Sequence, residues 1–176
     1  MIHEGTLQDR PHFMRLYFEF QKSQAEKGSY FLPSVHNLNL SKGIFEQCAE
    51  GSLEGFTLFW IPQNSSEPVS FLMGSTDPTP NPYELTLGKL AILWAVYVEP
   101  SHRGQGITMK LFQRATEMAI GMGYKSILTY VLSSNPHGER VAIDYGVRPA
   151  VTEYITSIDK TMLSPEFTKG IQRETT

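Results

Sequence analysis

Val96-Tyr97-Val98-Glu99-Pro100-Ser101-His102-Arg103-Gly104-Gln105-Gly106-Ile107-Thr108 changes character twice within a short span. It opens on alternating β-branched and aromatic residues, which suit a buried strand. Pro100 cannot donate to a sheet ladder and stops that strand. Gly104 and Gly106 then allow a tight turn and a close backbone approach to a ligand. From Ile107 the apolar period becomes helical, through Leu111, Ala115, Met118, Ala119 and Met122. The first turn of such a helix carries unpaired N–H groups and the positive end of the helix dipole. A strand, a glycine turn and a helix start in this order predict an anion site suited to a pyrophosphate.

Two other nucleotide loops fit this segment worse. The dinucleotide fingerprint G-x-G-x-x-G needs a third glycine where the chain has Met109, and the phosphate loop G-x-x-x-x-G-K-[ST] is absent.

Upstream, Leu85 to Glu99 reads as one long strand, and its core from Leu90 to Val98 is an unbroken apolar run. Nine residues fall well short of the roughly 20 needed to span a bilayer. Asp77 to Pro82 holds three prolines and reads as a loop. Gly55–Ile61 and Val69–Gly74 flank the turn-forming stretch 62–68 and predict an antiparallel hairpin. Near the N-terminus, Ile2 to Thr6 predicts a short strand. Asp9 is the expected cap of a helix carrying Phe13, Leu16, Tyr17 and Phe20 and ending near Gly28. Residues 29–40 read as irregular. Ser41 is the expected cap of a second helix with Ile44, Phe45 and Cys48 on one face, ended by Gly51. Downstream, Ser126–Leu132 predicts a buried strand, Asn135–Tyr145 a short helix, and Ala150–Ile158 a last strand. Trp60 and Trp94 fall in strand-like segments, where core packing is the default.

The element order is therefore β-α-α-β-β-β-α-β-α-β, a mixed α/β (α+β) domain around one central sheet. With 176 residues, 40% apolar and 19% charged, the chain suits a single globular domain over residues 1–160 followed by a polar tail over 161–176. A formal charge of -3 shows no basic excess, so a nucleic-acid partner is not expected. The single cysteine, Cys48, excludes an internal disulfide and reads as a small packing residue. His3, His12, His36, His102 and His137 lack metal-ligand spacing, so no metal site is expected. With no leader-like start and no membrane-length segment, the expectation is a cytoplasmic, soluble protein.

The 96–108 segment resembles motif A of the GNAT superfamily of acetyltransferases, whose pattern is [QR]-x-x-G-x-[GA]. It reads here Arg103-x-x-Gly106-x-Thr108, with threonine at the last position. Downstream, the family's N-x-x-A-x-x-x-Y-x-x-x-G-F spacing is met by Asn135, Gly138, Ala142, Gly146 and Val147. The resemblance extends over residues 2–158 by element order. It implies a central mixed, mostly antiparallel sheet flanked by helices, with acetyl-CoA as co-substrate and an amine as acceptor. It implies that the strand edge of Val96, Tyr97 and Val98 takes the pantetheine arm. Arg103, Gly104, Gln105, Gly106, Ile107, Thr108 and Met109 would wrap the pyrophosphate, and Asn135 would lie near the thioester.

Family members often place a tyrosine, the acid for the departing thiolate, where this chain has Ala142. Tyr145, about one turn along, is the candidate substitute, and Tyr130 is another. A thiol has a pKa near 8.5, so CoA thiolate already leaves tolerably at neutral pH. Glu99 is the candidate base for the acceptor ammonium, with His102, Glu84 and His137 also available. The alternative to an active N-acetyltransferase is a catalytically weak acyl-CoA-binding module acting through a partner, which Ala142 and Thr108 favour. Strand edges in such folds can pair, so a homodimer is compatible with the sequence.

Overall fold

The structure, a computed structural model, describes residues 1–26, 35–76, 88–131, 135–144 and 146. Among these, five strands form one sheet in the order β1-β2-β3-β4-β5. They are β1 (Ile2–Glu4), β2 (Gly55–Trp60), β3 (Ser70–Thr76), β4 (Leu90–Val98) and β5 (Ser126–Thr129). The first four run antiparallel to their neighbours, and β4 and β5 run parallel. The parallel pair needs a crossover, and α3 (Ile107–Gly121) supplies it. Helices α1 (Arg10–Glu26), α2 (Val35–Glu50) and α4 (Pro136–Asp144) complete the described elements. This is the mixed, mostly antiparallel sheet that the sequence predicts.

The two faces of the sheet bury separate clusters. On one face, Ile107, Leu111, Phe112, Ala115 and Ala119 of α3 pack on Phe56, Leu58, Leu72, Ala91 and Leu93. On the other, Phe13 and Leu16 of α1 and Phe45 of α2 pack on Phe59, Phe71, Met73, Ala95 and Tyr97. The expected α3 stripe is thus right but incomplete: Phe112 is 4% exposed, because the buried surface is wider than a single row of positions.

One irregularity decides which β4 side chains face which layer. Met73 pairs with Ala95 and Gly74 with Leu93, so Trp94 is an extra residue in β4. A bulge of this kind inverts the alternation beyond it. Ala91 and Leu93 face α3, Trp94 and Ala95 both lie against the α1 layer, and Val96 and Val98 face α3 again.

Several boundaries differ from expectation. The first helical turn begins earlier, and Thr6, not Asp9, is its cap. The Asp9 carboxylate reaches back to the Thr6 N–H (2.8 Å) and hydroxyl (2.7 Å), and pairs with His3 at 2.9 Å. Helix α2 begins at Val35, so residues 35–40 are helical, and Ser41 lies inside the helix at 5% exposure. This helix packs on α1, with the Phe13 and Phe45 rings 4.6 Å apart. β4 starts only at Leu90, because Gly88 adopts φ +74 just before it. β5 ends at Thr129, so Tyr130 and Val131 lie beyond the strand. Both tryptophans are half-buried and pack against the core clusters, Trp60 on the α3 side and Trp94 on the α1 side. Trp60 is half-exposed beneath Lys110, whose ammonium is 4.9 Å from its ring, and Trp94 donates its indole N–H to Ser75 Oγ at 2.7 Å. The expected last strand, Ala150–Ile158, the tail 161–176 and the helix end at Gly28 lie outside the described residues.

The Asp9 network makes a testable contribution. Partial burial pushes the Asp9 carboxyl up, but the Thr6 N–H, the His3 ring and the Thr6 hydroxyl outweigh it and hold it below its ordinary value. A lowered carboxyl pKa stabilises the fold fully above the unfolded value near 4, and that stability is lost as pH falls through the folded value. Asp9→Ala is expected to cost about 1 kcal/mol at pH 7. Urea unfolding should show the gap between variant and parent narrowing as pH falls below about 4. A gap independent of pH would remove the carboxylate's charge from the explanation.

Candidate cofactor site

The site is built where β4 loses its neighbour. β5 pairs with β4 only from Leu90 to Leu93, while β4 continues to Val98. Among the described residues, no strand covers the last part of β4 on that side. The backbone of Glu99 donates to Val69 O at 2.9 Å, and Ser70 Oγ donates to Tyr97 O at 2.6 Å. Residues 97 and 99 therefore turn their backbone groups toward β3. By strand alternation, Val96 and Val98 turn theirs to the uncovered edge.

The chain leaves this edge through a 3-10 turn, Pro100–His102, held by His102 N–H to Glu99 O (2.9 Å) and Arg103 N–H to Pro100 O (3.3 Å). Arg103 folds back and donates Nε–H to Val98 O at 3.1 Å, with its guanidinium 5.9 Å from the Tyr97 ring centre. Its side chain thus fastens the turn to the strand. Burial pushes the Tyr97 phenol up; Glu19 and Glu99 add to this, and Arg103 opposes it.

Gly104 and Gly106 have φ of +76 and +70, a conformation that costs a residue with a Cβ. A Cβ at either position would meet no atom within 4 Å, so conformation, not crowding by the protein, calls for glycine there. Gly106 is the N-cap of α3, and Ile107, at 2% exposure, anchors the helix start in the core. Lys110 N–H bonds Gly106 O at 3.2 Å, but the N–H groups of Gly106, Ile107, Thr108 and Met109 have no acceptor among the described residues. Four consecutive amides at a helix N-terminus without an acceptor among the described residues fit an anionic group such as a pyrophosphate. Gln105 is exposed, Met109 is 38% exposed and Thr108 is half-buried.

Other expected site residues are less free. Asn135 caps α4, its Oδ1 accepting from Gly138 N–H at 3.3 Å and its carbonyl from Glu139 N–H at 3.1 Å. Glu99 forms an ion pair with Arg15 of α1, and Arg15 also donates to Pro68 O at 2.6 Å. Ala142 is 7% exposed and offers no hydroxyl. Tyr145 lies outside the described residues, as does Glu84. Tyr130 is 58% exposed just past β5. Burial pushes the Cys48 thiol up to about 11, which keeps it protonated and suits packing, not attack. Among the described residues, no cluster of His, Cys, Asp and Glu could hold a metal, and no helix is long and apolar enough to cross a membrane. Sequence reading missed Arg15 and Pro68. No local pattern marks them, since Arg15 meets Glu99 across 84 positions of chain.

The strand, glycine turn and crossover helix stand in the order that the resemblance to the GNAT superfamily implies. The profile described as Acetyltransferase (GNAT) family matches residues 16–142, and the chain belongs to that family. No curated protein matched the chain. Among solved structures, a tetramutant of the BH1408 protein from Bacillus halodurans is similar at 18% identity and a TM-score of 0.72, covering 90% of this chain and 99% of that one. An aminoglycoside N-acetyltransferase, AAC(6')-Iy, in complex with CoA gives 13% identity and a TM-score of 0.68 over 91% and 93% of the two chains. A ribosomal-protein-alanine N-acetyltransferase from Brucella melitensis gives 15% and 0.61 over 90% and 98%. At these identities the likeness is one of fold.

Proposed function

We propose that this chain is an acetyl-CoA-dependent N-acetyltransferase that passes an acetyl group directly to the amine of a small molecule or protein. The observation that carries the reading is the row of amides from Gly106 to Met109, which has no acceptor among the described residues, after a β4 end that no described strand covers. Gly104 to Met109 and Arg103 would receive the pyrophosphate. Val96 to Val98 would receive the pantetheine arm as an added strand-like partner, with Asn135 near its end. Acetyl-CoA would supply an activated thioester. The Val98 N–H, turned to that edge, is placed to stabilise negative charge on the carbonyl oxygen. The acceptor must lose a proton, and the leaving thiolate needs little help because a thiol, with a pKa near 8.5, is acidic enough for its anion to depart at neutral pH. Tyr145 remains the candidate donor to that sulfur on spacing alone. Glu99, the candidate base, is paired with Arg15. The CoA complex of AAC(6')-Iy, an N-acetyltransferase of the same fold, supports the donor and the reaction class.

Ala142, which removes the usual tyrosine hydroxyl, favours a second reading, an acyl-CoA-binding module with weak turnover. Calorimetric titration with acetyl-CoA, with desulfo-CoA and ATP as controls, comes first. Micromolar binding selective over ATP is expected, and no heat with either CoA ligand would sink both readings. Transfer to a panel of amines then separates them: binding without turnover selects the module.

A further inference from the structure

We infer that Arg15 is a positioning residue for the cofactor turn, holding it through Glu99 from the far side of the sheet. The inference rests on the proposed acetyl-CoA site. All the hydrogen-bonding groups of Glu99 are engaged. Its N–H donates to Val69 O (2.9 Å), its carbonyl accepts from His102 N–H (2.9 Å), and its carboxylate pairs with Arg15. The first two bonds are local to the sheet and the turn. Only the third brings in another layer, because Arg15 belongs to α1.

The guanidinium serves two points at once. One amino group meets the Glu99 carboxylate, where β4 leaves the sheet, and the other meets the carbonyl of buried Pro68, just before β3. A planar fork with fixed donors can hold both, whereas an ammonium is a single point charge. At the other end of the 3-10 turn, Arg103 ties back to Val98 O. The short stretch from Glu99 to Arg103 is therefore clamped at both ends, and it delivers Gly104 and Gly106 to the amide row. With Arg15 side chain 41% exposed, the pair should add little to global stability. Its effect is on where the turn sits. The same geometry gives Glu99 the task of a strut.

The test uses Arg15→Met and Arg15→Lys in the full chain. Arg15→Met should raise KM for acetyl-CoA about tenfold with kcat unchanged, the size of one charge-assisted hydrogen bond. Its kcat/KM for S-acetylpantetheine, which lacks the pyrophosphate, should match the parent. Arg15→Lys should recover part of the loss. Hydrogen exchange of the peptide over residues 99–109 should quicken in Arg15→Met while the body of α3 and the melting temperature stay as in the parent. Equal losses with both thioesters, or unchanged exchange over 99–109, would overturn the inference. If the parent itself binds no CoA, the proposed function fails, and the exchange measurement still decides whether Arg15 holds the turn.

Discussion

Gly106→Val is expected to raise the Kd for acetyl-CoA about 100-fold or more while leaving the fold in place. Gly106 sits at φ +70, where a β-branched residue costs about 1–3 kcal/mol. The chain can relieve that strain only by rotating the turn. Rotation moves the amides of Gly106 to Met109 apart, and losing two charge-assisted bonds at about 1.5–3 kcal/mol each accounts for the size of the effect. If the turn holds its shape, the valine side chain still projects into open space where the phosphates would lie. Gly106 is exposed, so the far-ultraviolet spectrum should stay native. Calorimetry against the parent checks the result. An unchanged Kd in a folded variant would move the phosphate site elsewhere.

Phe13→Ala is expected to produce the largest stability loss, about 3–5 kcal/mol, and to lower Tm by roughly 6–20 °C. Phe13 is 0% exposed. Its ring lies 4.6 Å from Phe45, 5.4 Å from Tyr17 and 5.5 Å from Phe71, so it joins α1, α2 and the sheet. Alanine leaves a cavity that three separate elements would have to shift to fill. Thermal unfolding measures the loss. Because this cluster lies on the face away from α3, acetyl-CoA affinity well below Tm should stay within a few-fold of the parent. A loss under about 1 kcal/mol would mean that the α1–α2 layer is not closed over the sheet as described.

The glycine turn is legible in the sequence because its physics is local. Pro100 ends a strand wherever it stands, glycines at 104 and 106 permit positive φ, and the apolar period from Ile107 dictates a helix that must begin with unpaired amides. The same locality made the hairpin, the α3 stripe and the alternation of strands and helices readable, and with them the mixed sheet. Segment ends were less readable. Ser41 offers a plausible cap, yet α2 starts at Val35 and holds Ser41 buried inside it, where its hydroxyl caps nothing at the helix start.

What only the tertiary structure decided are the relations between distant segments. The extra residue at Trp94 appears only when β4 is laid against β3, and it determines that Val96 and Val98 face α3 while Tyr97 faces α1. Among the described residues, the last part of β4 has no neighbour on that side because β5 stops pairing at Thr129, a property of two strands together. The cation nearest Glu99 in sequence is Arg103, but that side chain bonds Val98 O, and Glu99 pairs elsewhere. Its partner Arg15 arrives from α1, and a charge pair depends on distance in space, which sequence position does not record.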